Sequence, residues 1–365
     1  ERAVSDSAFP GGVVLAGKDG EIFLHKAFGY HTYSNKTPVM RGNIYDLASI
    51  TKVIATTSAV MKLVEANKLS LNDKVITYLP TFKGKQKEYF DHKSRVTIRH
   101  LMTHTSGLPP FKKYFLMDNN IQTRLDSIMN TEPEIGLNEK TVYSDIGLIV
   151  LGKIIESVSL QSLDAFVDSV IFNPLGMKST FYNPPNDKIK RVVPTEFNDL
   201  YGDLIRGYVH DENAKSIGGV AGHAGLFSTA SDLAIFSQMM LNGGIYGWKR
   251  LFKSETVNDF TKKANVVEGS SRALGWDTPS GKASGGRYLS ESSFGHTGFT
   301  GTSLWIDPNN QLFVILLTNA VHPNRSYKDP NYYDWRQKIH SSIYESLGIN
   351  NMNNNLEWRE RWQKN

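Results

Sequence analysis

Apolar and polar residues alternate in short bursts at the two ends of the chain and recur at helical spacing between them. Gly12-Val-Val-Leu-Ala and Glu21-Ile-Phe-Leu-His stand on either side of Lys18-Asp19-Gly20. Glycine accepts positive φ without a steric cost, so this stretch predicts a β-hairpin. Near the other end, Ser303-Leu-Trp-Ile and the apolar run from Leu312 to Leu317 flank Asp307-Pro-Asn-Asn, which predicts a second hairpin. A closing helix follows, with Trp335, Ile339, Ile343 and Leu347 on one stripe and Gly348 as its stop. Such a stripe suits a helix that covers one face of a sheet assembled from both termini.

The middle of the chain reads as mainly helical. Ile50 to Asn67 places Val53, Ile54, Met61 and Val64 at helical spacing, and Ile146 to Val158 is apolar nearly all round, as a buried helix would be. Thr229-Ala-Ser-Asp232 has capping-box spacing before Leu233 to Leu241, and Gly243-Gly244 ends that run. The expected class is α+β: an antiparallel sheet built from both termini, flanked by helices, with an inserted helical region. One domain over residues 1–365 is expected, with the sheet-bearing part at about 1–68 and 268–350 and the helical part at about 69–267. The natural cleft of that architecture lies between the two parts.

Composition narrows the function without naming it. Hydrophobic residues make up 40% and charged residues 21%, as in a globular protein. The net charge of +5 is spread among acids, and the run from Lys83 to Lys87 holds only three lysines, which argues against a nucleic-acid partner. The chain has no cysteine, so disulfides, thiolate catalysis and Cys-based metal sites are excluded. Its longest apolar run has strand length, so no transmembrane segment is expected. It opens on Glu1 without a signal-peptide pattern, which suits either a removed leader or a piece of a longer polypeptide.

The candidate chemistry starts at Ser49-Ile-Thr-Lys52, at the head of a helical pattern. Residues three apart on a helix share a face, so hydroxyl and amine can meet. A serine becomes a nucleophile when a base takes its proton, and a lysine kept from water is expected to have its pKa lowered enough to serve. A helix start also favours negative charge nearby. Alone, this spacing is as often a helix cap and a surface lysine. It is accompanied by Tyr143-Ser144-Asp145, just before the apolar helix, and by His296-Thr297-Gly298, just before the C-terminal hairpin.

Three such elements, in this order, resemble the serine β-lactamase and penicillin-binding-protein superfamily, in particular its class C, D,D-peptidase and esterase branch. Thr97-Ile-Arg-His-Leu-Met-Thr-His-Thr-Ser-Gly-Leu108, Asn173-Pro-Leu-Gly-Met177 and Gly222-His-Ala-Gly-Leu-Phe-Ser228 extend the likeness over nearly the whole chain. The resemblance implies a β-lactamase/transpeptidase-like fold and a catalytic set of Ser49, Lys52, Tyr143 and His296. Ser49 would attack the acyl carbon, Lys52 would take its proton, and Tyr143 would relay protons to the leaving group. Phe299 and Ser49 would supply the backbone N–H groups of an oxyanion hole, worth roughly several kcal/mol. Thr297 and Gly298 would bind substrate along a strand edge, Gly298 by letting a substrate backbone come close.

Two positions depart from the family's usual pattern. His296 stands where lysine is common, and is expected to be partly neutral near pH 7 and to hold a substrate carboxylate less strongly. Asp145 stands where asparagine is common; it can only accept hydrogen bonds, so it would hold Lys52 or bind an amine on the substrate. His100 and His104 are four apart but lack the glutamate of a zinc motif, and neither metal nor cofactor is expected. His223 suits a loop histidine fixed by backbone contacts, and Trp276 either the cleft or the core. The expected activity is hydrolysis, through an acyl-enzyme, of an ester or a D-amino-acid amide or peptide bond, linked to the bacterial cell wall. The alternatives are a module that binds penicillin or peptidoglycan with little turnover, and a class C-like β-lactamase. By the same resemblance the protein would be exported to the periplasm or cell envelope, with a fused sugar-hydrolase domain upstream.

Overall fold

The computed structural model describes residues 1–365 except 35, 85, 119, 199–201, 283, 329 and 358–365; the last of these lie at the end of the single domain expected over 1–365. The N-terminal hairpin pairs β1 (Gly11–Lys18) with β2 (Glu21–Gly29). Asp19 (φ +52°) and Gly20 (φ +86°) turn it, and two successive positive φ values match the right-handed twist of the strands. From the other end come β3 (Phe294–Gly298), β4 (Thr302–Asp307) and β5 (Leu312–Thr318). The five form one antiparallel sheet in the order β3-β4-β5-β1-β2, so β1 pairs with the last strand of the C-terminal group.

The register sets Val14 opposite Leu316 and Leu15 opposite Ile315. Val13 and Leu15 point into the main core, while Val14 and Ala16 point into a smaller one on the other face. A strand covered on both sides is apolar throughout rather than alternating. Each large apolar side chain buried here contributes roughly 1.5–3 kcal/mol. The outer face is covered by α4 (Asn331–Ser346), through Ile339, Ile343 and Leu347, and Gly348 at φ +73° ends it as expected. On the inner face α3 (Ala230–Leu241) packs against β1 and β5 although it falls within the span read as the helical insertion. Thr229 caps α3 by accepting from the Asp232 N–H at 3.2 Å, but Asp232 turns its carboxylate to the Ser179 N–H at 2.7 Å. The capping box is therefore one-sided.

Ile50 to Asn67 is not one uniform helix. A 3₁₀ turn (Ala48–Ile50) leads into a π-wound segment (Lys52–Thr57) and then α1 (Ser58–Glu65). Widened turns of this kind are frequent at functional sites. Behind them runs α2 (Asp145–Ser159), buried on most of its faces. Gly222 crosses α2 so closely that a Cβ there would lie 2.1 Å from the Leu148 carbonyl oxygen. Among the described residues no single helix is long and apolar enough to cross a membrane.

Candidate active site

Tyr45–Asp46 pairs with Leu226–Ser228 in a small three-stranded sheet that carries the chain to Ser49. Ala48 then adopts φ +46°, a left-handed conformation that costs a residue with a Cβ roughly 1–2 kcal/mol. Asp46 braces this turn: its Oδ1 accepts from the Ala48 N–H at 2.8 Å and its Oδ2 from the His210 N–H at 2.7 Å. The hydroxyls of Thr300 and Thr302 donate to the Asp46 and Leu47 carbonyls at 2.8 and 3.0 Å, tying β4 and its approach to the same turn. Gly298 belongs to this packing. A Cβ there would sit 2.3 Å from the Leu47 carbonyl oxygen and 2.0 Å from the Thr302 hydroxyl. The close approach at Gly298 is thus shared by the chain's own turn before Ser49.

Lys52 is wholly buried. Its ammonium donates to Ser49 Oγ at 2.9 Å and to the His223 carbonyl at 2.9 Å, and forms an ion pair with Asp145 Oδ1 at 2.7 Å. The close passage of Gly222 along α2 is what brings the His223 carbonyl within reach. Burial alone would lower the lysine's pKa, but the Asp145 carboxylate and Tyr143 outweigh it and raise the pKa above the ordinary value. The lowered pKa expected for Lys52 is therefore reversed: it rests as a cation donating to Ser49, not as a free amine. Asp145 takes up the first of the two roles open to it, holding Lys52.

Tyr143 is clasped by rings and cations. His104 and His296 lie on either side, with ring centroids 4.7 and 5.8 Å away, and the Lys52 ammonium and Arg272 guanidinium each stand 4.9 Å from its ring centre. Burial raises its phenol pKa; Lys52 pulls it down and Asp145 pushes it up, leaving it raised. Tyr143 rests as a neutral hydroxyl, with the Lys52 ammonium over its ring and Ser49 in the same cleft. His104 positions the segment, its Nδ1 accepting from the Ser144 N–H at 3.0 Å, while His100 Nδ1 accepts from the Thr97 N–H at 3.0 Å. Each histidine of the zinc-like pair thus gives a ring lone pair to the backbone.

His296 Nδ1 lies 2.8 Å from the Thr297 carbonyl oxygen. A carbonyl only accepts, so Nδ1 carries the hydrogen and Nε2 presents a lone pair. That Nε2 is buried and has no partner among the described residues. Burial, then Arg272 and Lys52, hold the ring pKa well below its ordinary value. His296 is neutral at pH 7 rather than partly charged, and does not itself supply a cation for a carboxylate.

Around Ser49, Tyr143 and Phe299 the cleft divides into two lobes. The first is lined by Arg272, His296, Thr297, Gly298, Lys328 and Arg336, and the second by Asp145, His210, Asp211, Glu212, His223 and Arg325. Lys328 is buried, donates to the Phe299 carbonyl at 2.8 Å and lies 3.3 Å over the Phe299 ring centre. Burial, then Arg325 and Arg336, lower its pKa to about 7. In the second lobe Arg325 reaches Glu196 at 2.9 Å and Glu212 at 2.6 Å, and His210 Nε2 reaches Glu196 at 2.6 Å. Seven of the eight residues expected at the site line it, and Lys52 lies buried behind them, bonded to Ser49. Arg272, Lys328, Arg336, Asp211 and Glu212 carry no motif in the sequence and were missed. Trp276 is fully buried, edge-on to Phe294 at 5.0 Å, so it belongs to the core.

The family model for Beta-lactamase matches residues 1–338. A relative from Salmonella agona (strain SL483), provisionally named a D-alanyl-D-alanine carboxypeptidase, is 36% identical over 349 aligned positions, covering 87% of this chain and 80% of the relative. Among solved structures, EstCE1, "a hydrolase with promiscuous acyltransferase activity", superposes with a TM-score of 0.71 at 19% identity, over 92% of this chain and 96% of its own. The octameric penicillin-binding protein homologue from Pyrococcus abyssi superposes with a TM-score of 0.70 at 24% identity, over 96% of this chain and 76% of its own. At these identities the solved structures share the fold.

Proposed function

The chain belongs to the beta-lactamase family, and from that footing we propose that it is a serine hydrolase in which Ser49 forms an acyl-enzyme with a D-amino-acid amide, peptide or ester substrate of cell-wall type. The observation that carries this reading is the 2.9 Å hydrogen bond from the Lys52 ammonium to Ser49 Oγ, with Tyr143 beside both in the same cleft. Because Lys52 already donates to Ser49, the serine's own hydrogen is free to turn toward Tyr143. In acylation the Ser49 proton passes to the Tyr143 oxygen as Tyr143 gives its hydrogen to the leaving nitrogen or oxygen. Lys52 stays charged and stabilises the developing alkoxide, the work of a fixed cation in a water-poor site. The Ser49 and Phe299 N–H groups would hold the carbonyl oxygen as it becomes negative. Deacylation runs the same relay with water in place of the leaving group.

Arg272, Lys328 and Arg336 make the first lobe suited to a substrate carboxylate, so a D-alanyl-D-alanine terminus fits better than a neutral ester. A relative provisionally named a D-alanyl-D-alanine carboxypeptidase supports that choice and a role at the cell envelope. The test is release of D-alanine from an acyl-D-Ala-D-Ala peptide, beside hydrolysis of p-nitrophenyl acetate and nitrocefin. D-Alanine release abolished in Ser49→Ala supports the reading. Rapid nitrocefin turnover without D-alanine release makes the protein a β-lactamase instead, and covalent labelling without turnover makes it a binding module.

A further inference from the structure

The oxyanion hole assigned to Ser49 and Phe299 draws its two N–H groups from distant parts of the chain, one from the nucleophile turn and one from the turn between β3 and β4. Asp46 is bonded to both parts. Its Oδ1 accepts from the Ala48 N–H at 2.8 Å, and its carbonyl accepts from the Thr300 hydroxyl at 2.8 Å, one residue past Phe299. The Phe299 carbonyl is held by the Lys328 ammonium at 2.8 Å, so the peptide that follows Phe299 is tethered on both sides. Around Ser49 the turn takes up the neighbouring N–H groups itself: Ala48's goes to Asp46, and Ile50's to the Leu47 carbonyl at 3.1 Å. Asp46 Oδ2 accepts from the His210 N–H at 2.7 Å, which anchors the turn to the wall of the second lobe. Asp46 is 2% exposed, and burial, the largest influence on it, pushes its pKa above the ordinary value against the pull of His210 and the Ala48 N–H. A neutral side chain would be easier to bury there. What the carboxylate adds is two acceptor oxygens that hold Ala48 in its left-handed conformation, which persists only where the surroundings over-determine it.

We propose that Asp46 is a positioning residue of the oxyanion hole, setting the Ser49 N–H through its carboxylate and the Phe299 N–H through its carbonyl, at the spacing a tetrahedral oxyanion needs. This inference rests on the hydrolase reading and adds a residue outside its catalytic set. Asp46 lines neither lobe and acts only through the backbone of its neighbours. An amide in its place keeps one acceptor oxygen but turns an NH2 toward the second N–H, so one of the two bonds is lost. The turn at Ala48 then relaxes, and the N–H groups no longer meet the oxygen where its charge develops. Such a loss falls on the transition state rather than on substrate binding, so kcat drops while KM changes little.

Asp46→Asn and Thr300→Val test this with p-nitrophenyl acetate and its thiono analogue, in which sulfur replaces the carbonyl oxygen. Sulfur is larger and a weaker acceptor, so a fitted oxyanion hole favours the oxygen ester and a loosened one discriminates less. The burst rate of p-nitrophenol release from the oxygen ester is expected to fall by about 10²-fold in Asp46→Asn, the scale of one lost oxyanion donor, and by less in Thr300→Val. The thiono ester is expected to lose much less, so the oxygen-to-sulfur rate ratio drops in both variants while KM stays near the wild-type value. Thr300→Val keeps the whole carboxylate, and its ratio carries the test alone if Asp46→Asn does not fold. A ratio unchanged in every folded variant overturns the inference and leaves the hydrolase intact, as does a loss expressed in KM alone. No burst from the wild-type protein with either ester, with Ser49 unacylated, sinks the hydrolase reading and the inference with it.

Discussion

Lys52 and Asp145 form a 2.7 Å ion pair at the floor of the cleft, with the lysine wholly buried and its ammonium also bonded to Ser49. The pair sets the protonation state from which any reaction begins. Asp145 stabilises the cation on Lys52 and opposes a phenolate on Tyr143, and both pKa values are raised. Activity toward p-nitrophenyl acetate is therefore expected to hold level above neutrality and to fall only where Lys52 or Tyr143 loses its proton. Asp145→Asn removes the carboxylate that raises both groups, so its activity is expected to fall off at lower pH than the wild type's. A profile unmoved by the substitution would contradict the role given to the pair.

Lys328 joins the substrate cleft to a second ionisation. Its pKa of about 7 reflects burial and the neighbouring Arg325 and Arg336, with Glu196 acting in the opposite direction. As pH rises through 7 the first lobe loses one positive charge, so KM for a peptide ending in carboxylate is expected to rise several-fold between pH 6 and 8.5. Lys328→Met should show the high KM throughout, with little pH dependence. The sign for stability is the opposite. The unfolded lysine binds its proton more tightly, so folding is favoured progressively as pH rises from about 7 to 10.5, and this slope is expected to flatten in the Met variant. Thermal unfolding across that range measures it.

Glu196 gives the acid limb of stability. Burial alone would raise its pKa, but His210 and Arg325 bring it down to about 2 from 4.5. A depressed carboxylate contributes stability that is present above the unfolded value and is lost as pH falls from 4.5 toward 2. The depression corresponds to roughly 3 kcal/mol. Urea unfolding of Glu196→Gln is expected to show lower stability at pH 7 and a shallower loss between pH 4.5 and 2 than the wild type.

The hairpins at the two ends were legible because their signals are local: Asp19-Gly20 adopts the two positive φ values its residue types favour, and the apolar run from Leu312 becomes a strand covered on both faces. Ser49, Lys52, Tyr143 and His296 were legible as motifs, and the structure gathers them around one cleft. The charge on Lys52 was not legible, because it depends on where the start of α2 delivers Asp145, nearly a hundred positions further along the chain. The π-wound turn after Ser49 leaves no mark on apolar spacing, which reads the same for neighbouring helical windings. Arg272, Lys328 and Arg336 come from separate stretches without a shared pattern, and only packing places them together. Gly298 was legible as a close-approach glycine, and Leu47 is one group that approaches it.

The central claim is a covalent acyl group on Ser49, and intact-protein mass spectrometry after brief exposure to an acyl-D-Ala-D-Ala peptide, a p-nitrophenyl ester and a β-lactam tests it most directly. The predicted result is a mass increase equal to the acyl group with at least one probe, mapped to the peptide containing Ser49, absent in Ser49→Ala, and accompanied by a loss of turnover of at least about 10³-fold in that variant. An unchanged mass with every probe while product is still released, or an adduct that persists in Ser49→Ala, would contradict it.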